Sequence, residues 1–339
     1  MLDTIAQIWA SSGWPISFSG EVMILTILAV FAALLVYETL HPRDKHPSKN
    51  LHQSYKTNIG MFAVNTITLS VLSTSSFLSM IEPNSYTGLF NFISDNKIKI
   101  VISFLSLDWF LYQWHKTCHK YDWLWMFHRV HHNDNHLNVS TAFRVHFMEL
   151  FLTNVLKVMF VIITGIDGMV LLFHELVTTI FVMFHHTNIK VKYEPLFSKV
   201  FIGPLLHRTH HSVHRFEHDS NYGAIFSIWD RIFGTLLAAN PVSTGINGYS
   251  PQSLINVIRF GFTTPVIPVR EPVTPLTEMI QVAAYYRAEK RGFIHGNDQY
   301  DWYLAEQEIH KMVYKPAEKS QPKSKFSWSL FNNNHLSLC

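Results

Sequence analysis

The feature that most limits the fold is an uncharged apolar segment. Residues 59–81 carry no charged side chain. A helix rises about 1.5 Å per residue and the hydrocarbon core of a bilayer is about 30 Å thick, so the segment is long enough to cross it. Inside lipid every backbone N–H and C=O must be satisfied within the protein, which a helix does by itself. The sequence therefore predicts a helical membrane protein.

Four further apolar segments are interpreted as membrane helices. They are Ile16 to Tyr37, Ile100 to Trp114, Phe147 to Ile163 and Met169 to Phe184. No basic segment or cleavage site precedes the first one, so we expect it to be retained rather than removed as a signal peptide. The last two face each other across residues 165–168 as a helical hairpin. The expected fold class is all-α, a polytopic membrane helical bundle with five crossings.

The distribution of Lys and Arg predicts the orientation of these spans. The first twenty residues contain neither residue type, whereas residues 43–56 contain four of them. The loop after the first span is therefore expected in the cytoplasm. Five crossings then place 115–146 and the chain after His185 on the same, cytoplasmic side.

Histidine is the unusual component of this chain, with 21 residues against 27 Lys plus Arg. The two cysteines, Cys118 and Cys339, cannot build a disulfide framework or a cysteine-based zinc site. A net charge of +3, without a basic run rich in aromatic residues, gives no sign of a nucleic-acid partner. The composition instead favours a metal site built from imidazole.

Three histidine clusters have the spacing of metal ligands. They are His115 and His119, then His128, His131 and His132, then His207, His210 and His211. Residues at i, i+3 and i+4 share one helix face, so each cluster directs its imidazoles at one small volume. A single histidine at a helix end is usually only solvated, but three such clusters favour two transition-metal ions. Nitrogen ligands suit iron, copper or zinc.

The complete pattern, HxxxH then HxxHH then HxxHH, resembles the membrane-bound fatty acid hydroxylase and sterol desaturase superfamily. The likeness continues through HRVHHNDNHLNVSTAFRVHFMEL, beginning at His128, and HRTHHSVHRFEHDSNYGAIFSIWDRIFGT, beginning at His207. NYG and WDRIFGT are typical of the family's bacterial branch. The resemblance covers roughly residues 100–237. It implies a di-iron centre in a cytoplasmic cap on a bacterial inner membrane, O₂ as co-substrate, and hydroxylation or desaturation of a lipid, sterol or fatty acyl chain.

The resemblance also implies which residues bind the two Fe ions. All eight clustered histidines match family ligands. A further family histidine precedes Asn at the end of the hairpin, where His185 and His186 both precede Thr187 and Asn188, and the local pattern favours His186. Two departures are Phe147, where the family often has Pro, and the WHKTCH context of the first cluster. Neither departure removes a ligand.

Residues outside the clusters are candidates for supporting roles. Asp108, Tyr112 and His115 share one helix face. We expect Asp108 to accept the second N–H of His115, which would fix the ring, although an Asp in contact with water at the interface is the alternative.

Two further candidates lie on the predicted hairpin. Glu175 is three helical turns from His186 and is expected to line the same cavity. His146 lies one turn from Glu149 at the predicted membrane surface, where either residue is placed to support a ligand.

The sequence contains no Rossmann glycine fingerprint, flavin motif or iron–sulfur cysteine spacing. Electrons are therefore expected from a separate protein, such as a ferredoxin, a cytochrome b5-like protein or a reductase, docking on the basic cytoplasmic face. The lipid substrate is expected to enter sideways from the bilayer.

Two alternatives to a hydroxylase are open. The same fold can act as a desaturase, which the sequence does not distinguish. A histidine-rich membrane metal transporter or metal-binding protein is the other, but transporter ligands lie near the bilayer midplane and these clusters lie at the ends of spans.

We expect four parts along the chain. They are N-terminal membrane helices with a basic loop (1–99), a catalytic domain with the histidine clusters (100–240), a partly helical C-terminal cytoplasmic segment (241–314) and a disordered tail (315–339). Residues 265–275 are expected to be irregular and 277–312 to form soluble helix.

Overall fold

Helices are the main secondary structure in the part that the structure, a computed structural model, describes: residues 20–71, 88–241, 243–246, 248–263, 275–293 and 296–313. Within these ranges there are isolated β-bridges but no strands, so the predicted all-α fold class is confirmed.

The α-helices are α1 (Gly20–Leu40), α2 (Ser48–Val71), α3 (Asn96–Lys120), α4 (Asp122–His132), α5 (Phe147–Thr164), α6 (Gly168–His186), α7 (Glu194–Phe197), α8 (Pro204–His210), α9 (Arg215–His218), α10 (Ile228–Ile232), α11 (Leu254–Phe260), α12 (Pro275–Lys290) and α13 (Asp298–Val313). Short 3₁₀ helices cover Leu89–Phe92 and Val139–Phe143.

Three of the described helices, α1, α5 and α6, are long and apolar enough to cross a membrane. In α1, Ile24, Leu25 and Leu28 are each at least 58% exposed. Contiguous apolar surface of this kind is unfavourable in water and is covered by lipid in a bilayer. The three helices correspond to three of the five predicted spans.

The other two predicted spans differ from these. Helix α2 contains residues 59–71, and the rest of the 59–81 segment lies outside the described residues. The segment 100–114 lies within α3, which is not among the helices apolar enough to cross, because Asp108, Gln113 and His115 interrupt its apolar run. Five crossings and a cytoplasmic cap therefore stay predictions.

Helices α5 and α6 form the predicted hairpin, and local chemistry explains its turn. Gly165 ends α5 in the left-handed region (φ 72°), and its N–H donates to the Val161 carbonyl (2.8 Å). Asp167 then caps α6 by accepting from the Met169 N–H (2.7 Å). Leu107 of α3 packs with Val161 of α5 and Val170 of α6 in one apolar core, so these three helices contact one another.

A second apolar core joins α2 to α4 and α11. It contains Met61 of α2, Val130 of α4, and Val257 and Phe260 of α11. Because Val130 lies between the histidines of the second cluster, this packing fixes the helix that carries that cluster.

The chain divides into two compact units, Met1–Ile267 and Pro268–Cys339. In the second, α12 and α13 pack around Ile280, Ala305 and Ile309, and Arg291 pairs with Asp301 at 2.6 Å. These two helices correspond to the helical segment predicted over 277–312. The irregular stretch predicted over 265–275 lies outside the described residues except for Pro275, and the predicted tail lies wholly outside them.

Candidate metal centre

The candidate site is built at the C-terminal ends of four helices. The first histidine cluster lies in the last two turns of α3, the second ends α4, His186 ends α6, and the third lies in and just after α8. The C-terminal end of a helix carries partial negative charge from its unpaired carbonyls, which favours a nearby cation. The folding of these helices therefore brings histidines and a favourable field to one place.

The nine histidines predicted as ligands form two groups. In each group the ligand nitrogens lie within 4.8 Å of one another. The five-histidine group contains His115, His119, His128, His132 and His210, and the four-histidine group contains His131, His186, His207 and His211. The groups adjoin, since the rings of His132 and His211 stack with centroids 4.4 Å apart. His186, and not His185, belongs to the second group.

In the five-histidine group, hydrogen bonds on the outer nitrogens fix imidazole tautomers, as His115 and His128 show. The Nδ1–H of His115 donates to the Tyr222 carbonyl (2.9 Å), and that of His128 donates to Glu149 Oε1 (2.7 Å). Each ring is then left with a bare lone pair on Nε2. These two Nε2 atoms face each other at 3.0 Å.

The four-histidine group has the same arrangement. His131 donates from Nδ1 to the Arg144 carbonyl (3.3 Å), and His186 donates to the Val182 carbonyl (2.6 Å). Their Nε2 atoms are 3.0 Å apart, and Nε2 of His207 lies 2.9 Å from that of His186. Facing lone pairs repel unless a cation lies between them, so both groups fit a bound metal ion.

The distances between these nitrogens are also short enough for neighbouring rings to bind one ion. Nitrogens about 2.1 Å from one ion are about 3.0 Å apart at a right angle and about 3.4 Å apart at the tetrahedral angle. The Nε2–Nε2 distance is 2.9 to 3.1 Å in four pairs: His115–His128, His131–His186, His186–His207 and His207–His211. Within the described residues, Nε2 of His119 and His210 and both ring nitrogens of His132 are buried without a hydrogen-bond partner. A metal would satisfy such nitrogens.

Burial favours the neutral form of the imidazoles in the two histidine groups. Loss of water, followed by the charge of neighbouring histidines, holds the pKa well below its usual range in His119, His131, His132, His207, His210 and His211. The neutral form is the one that binds metals, so no proton has to leave these rings near pH 7.

A loop at 220–223 orients two ligands through its carbonyls. The Ser220 carbonyl accepts from His210 Nδ1 (2.7 Å), and the Tyr222 carbonyl accepts from His115 Nδ1. Asn221 has a left-handed backbone (φ 53°), and its side-chain amide donates to the Leu206 carbonyl (2.9 Å). The NYG sequence therefore shapes the backbone that holds the rings.

Asp230, in the WDRIFGT sequence, stabilises this loop by accepting hydrogen bonds from its backbone. Its carboxylate is fully buried and accepts from the N–H groups of Tyr222 (2.8 Å) and Gly223 (2.9 Å). It also accepts from the Thr235 hydroxyl (2.7 Å), which shares a hydrogen bond with the Tyr112 hydroxyl (2.8 Å). Tyr112 thus contacts the network that supports His115, rather than a ligand itself.

The predicted hydrogen bond between Asp108 and His115 is wrong. His115 bonds to the Tyr222 carbonyl, and Asp108 accepts from Trp229 Nε1 (2.8 Å) and from the N–H of Ile225 (3.2 Å). Asp108 lies two helical turns before His115 on α3, too far to reach the ring. Its carboxylate instead binds the segment that follows the 220–223 loop.

The two candidates on the hairpin also lie away from the ligands. His146 caps α5 by accepting from the Met148 N–H (3.2 Å), and its Nε2–H donates to the Ile258 carbonyl (3.2 Å). Glu175 pairs with Lys157 at 2.7 Å. Neither residue makes a described hydrogen bond to the nine histidines. Of His146, Glu149 and Glu175, it is Glu149 whose side chain bonds a candidate ligand.

Several supporting residues were missed by sequence reasoning because no helical periodicity relates them to their partners. Asp219 accepts from His119 Nδ1 (3.1 Å). Arg144, fully buried, lies 4.0 Å from the equally buried Asp134, whose charge opposes the drop in the pKa of Arg144 that burial causes. Only the proximity of Asp219 and Asp134 to the histidine clusters could have suggested them.

Helix α1 also reaches the site. Glu38, at its end, is 4% exposed and accepts from the N–H groups of Val139 and Asn188, each at 2.9 Å. Asn188 lies two residues after His186. Helix α1 therefore fixes the position of the backbone that follows the four-histidine group.

Apolar helices and two adjoining all-histidine groups define a helical membrane protein with a candidate two-metal centre. Residues 100–235, which include all nine histidines, match the family model for fatty acid hydroxylase. The resemblance of this segment to the fatty acid hydroxylase and sterol desaturase superfamily, seen in the sequence, is therefore confirmed. Residues 275–311 match a second family model, described as a protein of unknown function (DUF2934).

Curated relatives carry oxygenase names. The chain is 28% identical over 223 residues to ornithine lipid hydroxylase OlsE of Rhizobium tropici, covering 62% of this chain and 64% of that protein. It is 30% identical over 186 residues to human alkylglycerol monooxygenase, covering 52% and 41% respectively. The chain thus spans less than two-thirds of either relative. No solved structure matches it.

Proposed function

We propose that this protein is a membrane lipid hydroxylase whose nine histidines hold two iron ions and which uses O₂ and external electrons. The observation that carries the proposal is the pairing of bare Nε2 lone pairs at 3.0 Å in both histidine groups. The names of the relatives support lipid as the substrate class. All nine donors are imidazole nitrogens, which suit iron, copper or zinc, and the match to the fatty acid hydroxylase model favours iron.

The chain itself positions the metals and contributes little else to the chemistry. When bound, the two irons would supply the oxidising power for a C–H bond, which no side chain has. Carbonyls and carboxylates on the outer nitrogens of His115, His128 and His131 fix the direction of each ring. Eight of the nine histidines are buried and His115 is partly buried, which keeps bulk water away from the two groups.

The lipid is proposed to enter from the bilayer. Helices α3, α5 and α6 share one apolar core, and α3 and α6 carry ligands at their ends. Outward-facing side chains of α3, such as Val101 and Leu105, are exposed. A lipid lying along these helices has a route to the site without crossing water. The same arrangement would serve desaturation, and product analysis distinguishes the two outcomes.

Transport is less well supported. Transporter ligands lie near the middle of the bilayer on broken helices. Here His186 is the last residue of α6, and His119 lies one residue before the end of α3. Both helices are continuous over their described lengths. An enzyme cap at the ends of helices is the better match.

Metal content and O₂ uptake of the detergent-purified protein test the proposal. We expect about two irons per chain and reductant-dependent O₂ uptake. His210→Ala, in the five-histidine group, and His131→Ala, in the four-histidine group, should each lose about one iron and abolish the uptake, because each removes a ligand from a different ion.

The matched control is His52→Ala, because His52 is exposed on α2 and belongs to neither group. It should retain both the iron and the O₂ uptake. Protein that takes up only zinc or nickel, and shows no O₂ uptake after iron reconstitution, would overturn the oxygenase proposal.

A further inference from the structure

Two segments of the first unit form an exposed surface outside the candidate metal centre. Residues 190–200 and 227–233 are joined by hydrogen bonds from the Ser227 N–H to the Val200 carbonyl (2.9 Å) and from Arg231 to the Ser198 carbonyl (2.9 Å). We call their outer surface the apolar–basic patch. Its apolar members, each at least 41% exposed, are Tyr193, Leu196, Val200, Ile228, Ile232 and Phe233.

The exposed charges of the patch all have one sign. They belong to Lys190, Lys192, Lys199 and Arg231. The two carboxylates in the same segments are buried: Glu194 accepts from the Leu205 N–H, and Asp230 accepts from the Tyr222 N–H. The patch therefore presents apolar and cationic groups outward without neutralising acids.

The patch lies beside the end of a candidate membrane helix. Behind it, Phe197 packs on Phe184 and Phe201 packs on Phe181, with ring centroids 5.6 and 5.3 Å apart. Phe181 and Phe184 occupy the last two turns of α6, which ends at His186. The patch is thus next to the point where α6 would leave the hydrocarbon core.

We propose that the apolar–basic patch rests on the surface of a bilayer containing anionic lipids. Six exposed apolar side chains in one patch are unfavourable in water. Apolar groups flanked by lysines are typical of segments that lie in the membrane interface, where the apolar side enters the acyl boundary and the cations contact lipid phosphates. A soluble acidic protein would match the charge but would leave most of this apolar surface unexplained.

The test places a polarity-sensitive fluorophore on the patch of the full-length protein in nanodiscs. Leu196→Cys and Ile232→Cys each provide one attachment site in a Cys339→Ser background, while Cys118 is fully buried and can remain. With lipids spin-labelled near the headgroup, both labels should be strongly quenched. Lys120→Cys is the control, because Lys120 is exposed on α3 outside the patch, and its label should be quenched less.

A second arm tests the lipid charge. Quenching at Leu196→Cys should increase when phosphatidylglycerol replaces phosphatidylcholine. In the Lys192→Glu/Lys199→Glu background this preference should disappear, since each basic residue near an anionic surface favours contact about fivefold. The two label positions guard against a local folding defect at either one.

Labels that report water in every lipid mixture would overturn the proposal. So would labels that are shielded only when an acidic electron-donor protein is added, because the patch would then be a protein-docking surface. The measurement needs neither metal nor substrate, so its outcome is independent of the proposed hydroxylase function.

Discussion

At the scale of single residues, the outer nitrogen of each imidazole explains the arrangement of the candidate centre. Spacing and family likeness identified nine histidines in the sequence, and these nine lie together in two groups. Their hydrogen-bond partners could not be identified in the same way, because Tyr222 is 107 residues from His115 and Asp219 is 100 residues from His119. Periodicity relates residues only within one helix.

Glu149→Gln should weaken metal binding at the five-histidine group. The carboxylate accepts from His128 Nδ1 at 2.7 Å, and replacing a charged acceptor with a neutral one makes the ring a poorer ligand. We expect metal affinity at that group to fall about 10- to 100-fold. Titration with ferrous iron against a chelator should then resolve one weakened and one unchanged site.

The control for this change is Glu175→Gln, which alters a carboxylate on the same hairpin that pairs with Lys157 and bonds no ligand. Its titration should match that of the unsubstituted protein. Identical curves for both variants would argue against a role for Glu149 in positioning His128.

Substitution of the adjacent histidines should separate their roles. His186 points Nε2 into the four-histidine group, whereas the His185 ring lies tilted against that of His207, with centroids 3.8 Å apart, and is not part of either group. His186→Ala is expected to lose about one metal per chain and His185→Ala to keep both, as measured by elemental analysis. The reverse result would assign the ligand to His185.

At the scale of elements, local signals predicted what local chemistry determines. The α5–α6 hairpin follows from apolar runs, the left-handed Gly165 and the Asp167 cap, all close together in the chain. The 220–223 loop, by contrast, is held by Asp230 and, through the segment that follows it, by Asp108, which is 117 residues from its partner Ile225. The NYG and WDRIFGT sequences marked these segments through resemblance, without revealing that one supports the other.

Asp230→Ala should loosen this loop. It leaves the buried N–H groups of Tyr222 and Gly223 without their acceptor, at a cost of about 1–3 kcal/mol for each unpaired group. We expect a lower unfolding temperature in detergent together with partial loss of metal, because the Tyr222 carbonyl that orients His115 moves.

Thr235→Ser is the matched variant for Asp230→Ala, since serine retains the hydroxyl that donates to Asp230. It should unfold close to the temperature of the unsubstituted protein and keep its metal. A stable, fully metal-loaded Asp230→Ala protein would show that the loop holds its position without the carboxylate.

At the scale of the whole molecule, the family domain does not contain all of the site's support. The matched region covers 100–235, yet Glu38 of α1 bonds the backbone next to the four-histidine group, and Ser54 and Asn58 of α2 donate to the buried Asp134 at 2.8 and 2.9 Å. The first unit, up to Ile267, contains every one of these groups. The N-terminal helices are therefore expected to matter for metal binding more than the C-terminal unit does.

Two deletions should separate these contributions. A chain ending at Ile267 keeps both histidine groups and all the described hydrogen bonds of their ligands, so we expect unchanged metal content and an unchanged unfolding temperature for the first unit. Deletion of residues 1–46 removes Glu38 and leaves the N–H groups of Val139 and Asn188 unpaired, which should lower both quantities. Elemental analysis and thermal unfolding in the same detergent give the comparison. Metal loss in the first variant and not in the second would mean that the C-terminal unit, rather than α1, stabilises the centre.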